Sequence, residues 1–188
     1  MQKKRNFTAR RIALNAVLIA LYVLLGFLKI PIGNMLRINL ASFAVVVCAV
    51  TFSPVDGLIV GFLGEFLSQI LGPYGLTPTT VLWSLPEAMR GLLLGLAMVF
   101  IAKKYSPAEL LKSKALIWYL VVCTVTGLIA SGLNTLALYV DSKMYGYYSY
   151  EMVFGILLVR LSLAFVMSGA FGYIALHIVS ALRRNKII

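Results

Sequence analysis

The sequence predicts an all-α integral membrane protein, a single domain of residues 1–188 with six transmembrane helices in one bundle. Three observations lead to this prediction. Of the 188 residues, 61% are hydrophobic and only 12% are charged, whereas a soluble domain is about half apolar and about a quarter charged. The apolar residues form runs near the roughly 20 residues of a membrane-spanning helix. The basic residues lie mostly at the ends of these runs, which favours membrane topology, not nucleic-acid binding, as the origin of the net charge of +11.

The N-terminal region begins with a basic tail, residues 1–8, which is expected to be cytoplasmic. The first span is predicted over about Ala9–Lys29. Within it, Ala16 and Ala20 stand one helical turn apart, and small side chains at this spacing let another helix approach closely in lipid. The spacing is equally compatible with packing inside the bundle and with contact to an external partner.

The next three spans are separated by helix-breaking residues. IPIGNMLR (30–37) interrupts the helix with Pro31 and Gly33, and the second span, about Ile38–Phe52, is short for a membrane crossing, so we expect it to be tilted or partly outside. The third span follows a tight turn at 53–56 and ends near Leu71, and the fourth covers about Thr79–Ala102.

The second half begins with the most soluble segment of the chain. This segment, 103–114, is predicted to form a short surface helix capped by Ser106 with Pro107 at its first position. The remaining elements are a fifth span over about Ala115–Tyr139, a tyrosine-rich loop over 140–151 and a sixth span over about Met152–Leu182.

The distribution of basic residues predicts that both termini are cytoplasmic. Six spans place both ends on one side, and that side then carries twelve of the 17 basic residues, in residues 1–11, in 103–114 and at the C-terminus. An excess of lysine and arginine marks the cytoplasmic side of a membrane protein. The loops around 30–37, 72–78 and 145–151 are therefore expected on the outer face of the cell membrane.

No familiar catalytic arrangement is present in the sequence. There is no HExxH, phosphate-binding glycine loop or GxSxG motif, and the single histidine, His177, lies near the inner end of the last span. Cys48 and Cys123 lie within apolar spans without histidine partners, so we expect neither a disulfide nor a metal site. The sequence therefore predicts no catalytic residues, no metal and no cofactor.

Charged residues inside the apolar runs are the best candidates for function. An ionised side chain at membrane depth is costly unless it has a partner or water. Glu87 and Arg90 are three residues apart and share a helix face, which suits either a structural ion pair or a polar floor beneath a ligand, with Trp83 as a stacking surface. Glu65 has no cation on its own helix, so its partner must come from another span, from water or from a ligand.

These residues predict a ligand site near the outer face that suits a flat, polar, heteroaromatic small molecule. Arg37 and Asn39 at the start of the second span suit a carboxylate or an amide-rich group, and the tyrosines at 145–150 are expected to help cover the site. Arg160 lies deeper and is expected to affect folding more than affinity. The predicted substrate-binding residues are Arg37, Asn39, Glu65, Tyr74, Trp83, Glu87 and Arg90.

Several of these segments together resemble the substrate-binding S component of an energy-coupling factor (ECF) vitamin transporter. RRIALNAVLIALYVLLG is similar to the alanine-rich first helix of that family, and its AxxxA motif maps onto Ala16 and Ala20. IPIGNMLRINLASF followed by GLIVGFLGEFLSQILGP resembles the folate-type branch. SPVDG stands where that branch has GP..G, and YGLTPTTVLW replaces its FPGF-like segment, which leaves the substrate open.

The resemblance implies a substrate-capturing subunit without enzymatic activity. Such a subunit would bind a vitamin or a related precursor from outside, join a transmembrane coupling subunit through Ala16 and Ala20, and use two ATPase subunits to topple and release the ligand inside. Folate-like ligands are favoured, and a queuosine precursor, pyridoxine and hydroxymethylpyrimidine remain alternatives. From other classes, a small membrane-embedded enzyme using Glu65 and Glu87 as acid and base, and a structural or sensor protein without a ligand, also stay open.

Overall fold

The structure is a computed structural model that describes residues 9–32, 36–73 and 75–185, with only the backbone of 29–32 and 36–38. The basic tail at 1–8 lies outside the described residues. Seven α-helices and a short hairpin are described, together with a π-helical turn at Glu151–Gly155 that precedes the last helix. These elements are α1 (Ala9–Phe27), β1 (Lys29–Ile32), β2 (Leu36–Asn39), α2 (Ser42–Thr51), α3 (Pro54–Ile70), α4 (Thr80–Ile101), α5 (Pro107–Lys112), α6 (Ala115–Met144) and α7 (Leu157–Arg184).

All six apolar segments predicted as spans are helical, but they differ in length. Within the described residues, α1, α4, α6 and the combined stretch Glu151–Arg184 are long and apolar enough to cross a membrane. Helix α2 has ten residues and α3 has 17, fewer than the roughly 20 that a perpendicular crossing requires. That all six cross the membrane, and that both termini lie in the cytoplasm, therefore stay predictions.

The connection between the first two apolar helices is a β-hairpin and not a plain loop. Strands β1 and β2 are antiparallel, with Ile30 opposite Ile38 and Pro31 opposite Arg37. The second helix therefore begins at Ser42, not near Ile38 as the sequence suggested. Proline prevents the helix from continuing, and the hairpin supplies partners for backbone groups that could not remain unpaired in lipid.

Helix α2 lies at the centre of the bundle, which explains its apolar composition. Every residue from Ala44 to Thr51 is buried. Three of its four valines belong to one core cluster with Leu94 and Met98 on α4 and Phe171 on α7. A helix that is apolar on all sides is one that is enclosed. The segment is thus a short helix enclosed by its neighbours, and that it is tilted or partly outside the membrane stays a prediction.

Glycines allow α3 and α4 to pack backbone against backbone. A methyl group added at Gly57 would lie 2.5 Å from the carbonyl oxygen of Gly91, and one at Gly61 would overlap the carbonyl of Glu87. Small residues four apart on each helix make this approach possible. The backbone of Glu87 is therefore fixed by close contact with α3.

The end of the bundle that carries the chain termini contains a fully paired buried carboxylate. Asp56, at the start of α3, is 0% exposed and accepts hydrogen bonds from Arg11 Nε at 2.9 and 3.0 Å and from Asn15 Nδ2 at 2.7 Å. Ser53 Oγ donates a further hydrogen bond to it at 2.6 Å. Arg11 is therefore an anchor between α1 and α3.

The two surface connections in the second half agree with the sequence only in part. Ser106 caps α5 as predicted, because its hydroxyl accepts from Glu109 N at 3.3 Å and the Glu109 carboxylate accepts from Ser106 N at 2.8 Å. The backbone N–H of Ser106 lowers the pKa of Glu109.

Helix α6, in contrast, runs to Met144, five residues past the predicted end. Ser142 is therefore buried in this helix and is not part of a loop.

Candidate ligand-binding cavity

A cavity of about 640 Å³ is lined by residues of α2, α3 and α4 on one side and of α6 and α7 on the other. Its lining residues come from the ends of these helices that adjoin the hairpin and the connections at 71–79 and 145–150. The cavity therefore lies in the half of the bundle opposite the chain termini. Small-molecule sites commonly enclose about 300–1,000 Å³, so the cavity has room for a vitamin-sized ligand.

Five of the seven predicted substrate-binding residues lie in the wall of this cavity. They come from β2, α3 and α4, which the fold brings together from separate parts of the chain. Of the other two, Arg37 is described only by its backbone in β2, and Tyr74 lies outside the described residues. The five residues in the wall are Asn39, Glu65, Trp83, Glu87 and Arg90.

Glu65 is held by hydrogen bonds from its own helix and from α1. Tyr22 Oη donates to its Oε2 at 2.6 Å, and Gln69 Nε2 donates to its Oε1 at 2.6 Å. Tyr22 is completely buried, and it packs against Gly64, where any side chain would overlap its ring. Sequence reasoning missed Tyr22, because a tyrosine in an apolar helix is usually read as core.

Glu87 and Arg90 form a buried pair that neighbouring helices hold in place. Arg90 Nη1 lies 3.4 Å from Glu87 Oε1, which also accepts from Ser42 Oγ at 2.7 Å. Arg90 Nη2 donates to Ser168 Oγ at 2.8 Å. The remaining polar atoms, Glu87 Oε2 and Arg90 Nε, have no hydrogen-bond partner among the described residues. The described part of the chain therefore satisfies this pair only in part.

The opposite wall carries polar residues that the sequence analysis did not assign to the site. Ser131, Asn134 and Thr135 on α6 line the cavity. Serine and threonine in apolar helices commonly bond to their own backbone, as Thr135 does to the carbonyl of Ser131 at 3.0 Å. Serine and threonine in a predicted span are therefore only a weak indication of a ligand site. Only the packing of α6 against α4 and α7 places them beside the charged residues of α4.

Arg160 also lies in the cavity wall, on α7. Its Nη2 donates to the carbonyl oxygen of Met152 in the π-helical turn at 2.9 Å. The described partner of this guanidinium is thus a backbone carbonyl and not a carboxylate. Because its side chain borders the cavity, we expect it to influence affinity as well as folding.

A hydrogen-bonded group joins two connections at this end of the bundle. The Asp141 carboxylate accepts from Thr79 Oγ1, which precedes α4, and from Tyr147 Oη in the loop after α6. Lys143 Nζ lies 3.9 Å from the ring centre of Tyr148. Among the described residues, none of the tyrosines at 145–150 lines the cavity, so their predicted role as a cover is not seen in this arrangement.

The fold and the cavity together define a multi-pass helical membrane protein with a polar, ligand-sized site at one end. The chain belongs to the family described as the ECF-type riboflavin transporter, S component, whose profile matches residues 6–184. This family is membrane-embedded, and its members are transporter components and not enzymes. The interpretation as a membrane enzyme with Glu65 and Glu87 as acid and base is therefore wrong.

Individual proteins that match this chain share only low sequence identity with it or match only part of it. UPF0397 proteins from Streptococcus pneumoniae strains CGSP14 and ATCC 700669 are 30% identical over 93 residues, which are 48% of this chain and 49% of theirs. The chain thus matches about half the length of these curated relatives. The crystal structure of the S component for biotin from an ECF-type ABC transporter superimposes with a TM-score of 0.63 over 97% of this chain and 95% of that one, at 17% identity. At that identity the likeness supports the S-component fold alone.

Proposed function

We propose that this protein is the substrate-binding subunit of an ATP-driven ECF importer. The observation that carries the proposal is the polar cavity inside an S-component fold, with charged side chains of both signs in its wall. Charged residues within a membrane bundle are costly and usually mark a substrate site. The subunit captures its ligand at the hairpin end and works with a transmembrane coupling subunit and two ATPase subunits, which supply the energy for toppling and inward release.

The ligand is a flat, heteroaromatic vitamin or a precursor of one, with a folate-like molecule favoured. Trp83 offers a stacking surface, and Arg160 on the opposite wall offers a cation for a carboxylate tail. Riboflavin is the second candidate, because the matching family is described by that vitamin. A queuosine precursor, pyridoxine and hydroxymethylpyrimidine complete the panel. Isothermal titration of the purified protein with this panel identifies the ligand, and a protein that binds none of them contradicts this assignment.

The cavity end faces the outside in this proposal, with both termini in the cytoplasm. The charge distribution of the sequence supports this orientation. Ser149 is exposed in the loop after α6, so Ser149→Cys is expected to react with an impermeant thiol reagent in intact cells. Ser142 is unsuitable for this experiment because it is buried. Labelling of Ser149→Cys only after permeabilisation would reverse the orientation.

The coupling subunit is proposed to dock on the alanine face of α1. Ala16 and Ala20 are exposed, whereas Tyr22 and Gly26 on the same helix are buried against the bundle. Ala16→Trp or Ala20→Trp is expected to abolish uptake and co-purification with the coupling and ATPase subunits, because a large side chain prevents close helix approach. Ligand affinity of the isolated subunit should stay unchanged. A collapse of affinity would instead assign these alanines to packing inside the bundle.

A further inference from the structure

The segment that joins α4 to α6, residues 103–114, carries four exposed lysines at the end of the bundle with the chain termini. Two of them follow α4 and two precede α6, so they stand on both sides of the short helix α5. Glu109 is the only acidic residue of the segment. The four exposed residues are Lys103, Lys104, Lys112 and Lys114. The segment therefore presents a strongly basic surface.

The one carboxylate of the segment is engaged by the backbone and does not neutralise the lysines. Glu109 accepts a hydrogen bond from Ser106 N at 2.8 Å, and Ser106 Oγ accepts one from Glu109 N at 3.3 Å. Among the described residues, no carboxylate lies within salt-bridge distance of any of the four lysines. Their ammonium groups are therefore available to an anion from outside the chain.

Apolar contacts hold this segment against the bundle, so the lysines form a defined surface. Pro107 and Leu110 of α5 are buried, and Leu110 belongs to a core cluster with Leu176 and Val179 of α7. Helix α5 has six residues and is therefore only about 9 Å long. The lysines on its two sides consequently stand close enough together to act on one headgroup or on neighbouring headgroups.

Exposed aromatic side chains border the lysines on α4 and α6, two helices that are long and apolar enough to cross a membrane. Phe100, near the end of α4, is 70% exposed, and Trp118, in the first turn of α6, is 73% exposed. Lys103 Nζ lies 5.3 Å from the ring centre of Phe100. Tryptophan is enriched where membrane proteins pass from the hydrocarbon to the headgroups. The ammonium groups are thus placed at the level of phospholipid headgroups.

We propose that these four lysines form a binding surface for the headgroups of anionic phospholipids, with Phe100 and Trp118 beside the acyl chains. Basic residues clustered next to a membrane-spanning helix attract anionic lipids, and each lysine near the surface adds to the attraction. A zwitterionic headgroup also carries a phosphate, but its own ammonium group opposes that attraction. The surface therefore selects lipids by net charge, and it is separate from the cavity and its ligand.

The alternative occupant is an acidic surface of another transporter subunit. The alanine face that is proposed to receive the coupling subunit belongs to α1, which packs on α2 and α3, whereas α5 packs on α6 and α7. The residues beside the lysines include exposed apolar side chains, among them Ile117 at 66% exposure. Burial of such side chains among acyl chains is favourable. Position and composition therefore favour lipid over protein.

Native mass spectrometry of the full chain in detergent measures this binding directly. The protein is titrated with phosphatidylglycerol and with phosphatidylcholine that carry the same acyl chains. The wild-type protein is expected to bind phosphatidylglycerol about tenfold more tightly, and the preference should shrink at high salt because salt screens exposed charges. Equal affinities for the two lipids would overturn the proposal. Displacement of the lipid by an equal concentration of inorganic phosphate would also overturn it, since phosphate lacks acyl chains.

Variants assign the preference to the lysines. In the quadruple variant Lys103→Gln/Lys104→Gln/Lys112→Gln/Lys114→Gln the preference should fall below about twofold, without a change in thermal unfolding. Glu109→Gln keeps the helix cap, because glutamine also serves at that position, and should strengthen the preference. Lys143→Gln, at the opposite end of the bundle, is the control for the single variant Lys104→Gln and should behave as wild type. Undiminished preference in the quadruple variant would refute the assignment.

Co-purification distinguishes a lipid surface from a protein contact. The quadruple variant is expected to assemble with the coupling and ATPase subunits while it loses its preference for phosphatidylglycerol. A variant that keeps the lipid preference but no longer assembles would make the surface a protein contact and contradict the proposal. Trp118→Ala should weaken the binding of both lipids to a similar extent and leave the preference intact. Unchanged affinity for both lipids in Trp118→Ala would contradict the placement of this ring beside the acyl chains.

Discussion

Two buried acid–base groups in the described part of the bundle differ in how completely the protein satisfies them. At the end with the chain termini, Asp56 is bound by Arg11, Asn15 and Ser53. In the cavity wall, Glu87 and Arg90 are joined at 3.4 Å, and one polar atom of each lacks a partner within the described ranges. Both groups link residues of different helices.

This difference distinguishes a structural ion pair from a candidate binding site. A buried charged group whose hydrogen-bond partners all come from the protein links helices and requires no ligand. A charge buried with an unmet partner beside a ligand-sized cavity is a site that an incoming molecule can complete. The first group should therefore affect stability when it is altered, and the second should affect affinity. The following predictions test that distinction, beginning with the largest expected effect.

Asp56→Ala is expected to destabilise the protein by about 3–5 kcal/mol, because it removes the carboxylate that holds the largely buried guanidinium of Arg11 against α3. Thermal unfolding in detergent measures this loss. The double variant Arg11→Met/Asp56→Leu should recover much of the stability, since apolar residues can replace a buried ion pair. The folded fraction of either variant should bind ligand like wild type. A loss of affinity without a loss of stability would reverse the roles of the two groups.

Glu65→Gln is expected to weaken ligand binding by at least about tenfold, which corresponds to about 1.4 kcal/mol. Its carboxylate accepts hydrogen bonds from Tyr22 and Gln69 at 2.6 Å, and an amide brings a competing donor into this arrangement. Isothermal titration with the panel member that binds wild type measures the change. Glu109→Gln serves as the matched control away from the cavity. Wild-type affinity in Glu65→Gln would place the ligand elsewhere.

Trp83→Ala is expected to reduce affinity by about tenfold through the loss of aromatic stacking. The residue is half-buried in the cavity wall, so its truncation should disturb the core less than the loss of a central side chain. Trp83→Phe keeps a ring and should restore most of the affinity. Isothermal titration measures the affinity of both variants. A Phe variant that binds the ligand as weakly as the Ala variant would argue against a stacking role.

Ser42→Ala is expected to have the smallest effect, an affinity loss of about fivefold, because one hydrogen bond contributes about 1 kcal/mol. The hydroxyl donates to Glu87 Oε1 at 2.7 Å and positions the carboxylate without being required to touch the ligand. Ser162→Ala is a matched control, since that hydroxyl bonds to the carbonyl of Leu158 on its own helix, at 2.9 Å. Equal affinities of the two variants would remove Ser42 from the positioning role.

Much of the helical framework could be predicted from the sequence by itself. Long apolar runs over α1, α4, α6 and α7 predict these helices because a membrane requires every backbone group to be paired within its own segment. The local signals at Ser106 and Pro107 also predict the start of α5, since a cap depends only on neighbouring residues. The position of Glu65, Glu87 and Arg90 within apolar runs likewise identifies them as candidates for a site.

Only the tertiary structure distinguishes the roles of the charged residues inside the apolar helices. Spacing along the chain could not distinguish the satisfied carboxylate of Asp56 from the incompletely paired Glu87, because their partners come from helices distant in sequence. No sequence pattern marked Tyr22, Ser42 or Ser168 as residues of a site, since hydroxyl groups in apolar helices are common. The sequence likewise did not predict that α2 is enclosed by other helices or that a β-hairpin precedes it. Local sequence determines which segments are helical, whereas hydrogen-bond satisfaction is a property of how those helices meet.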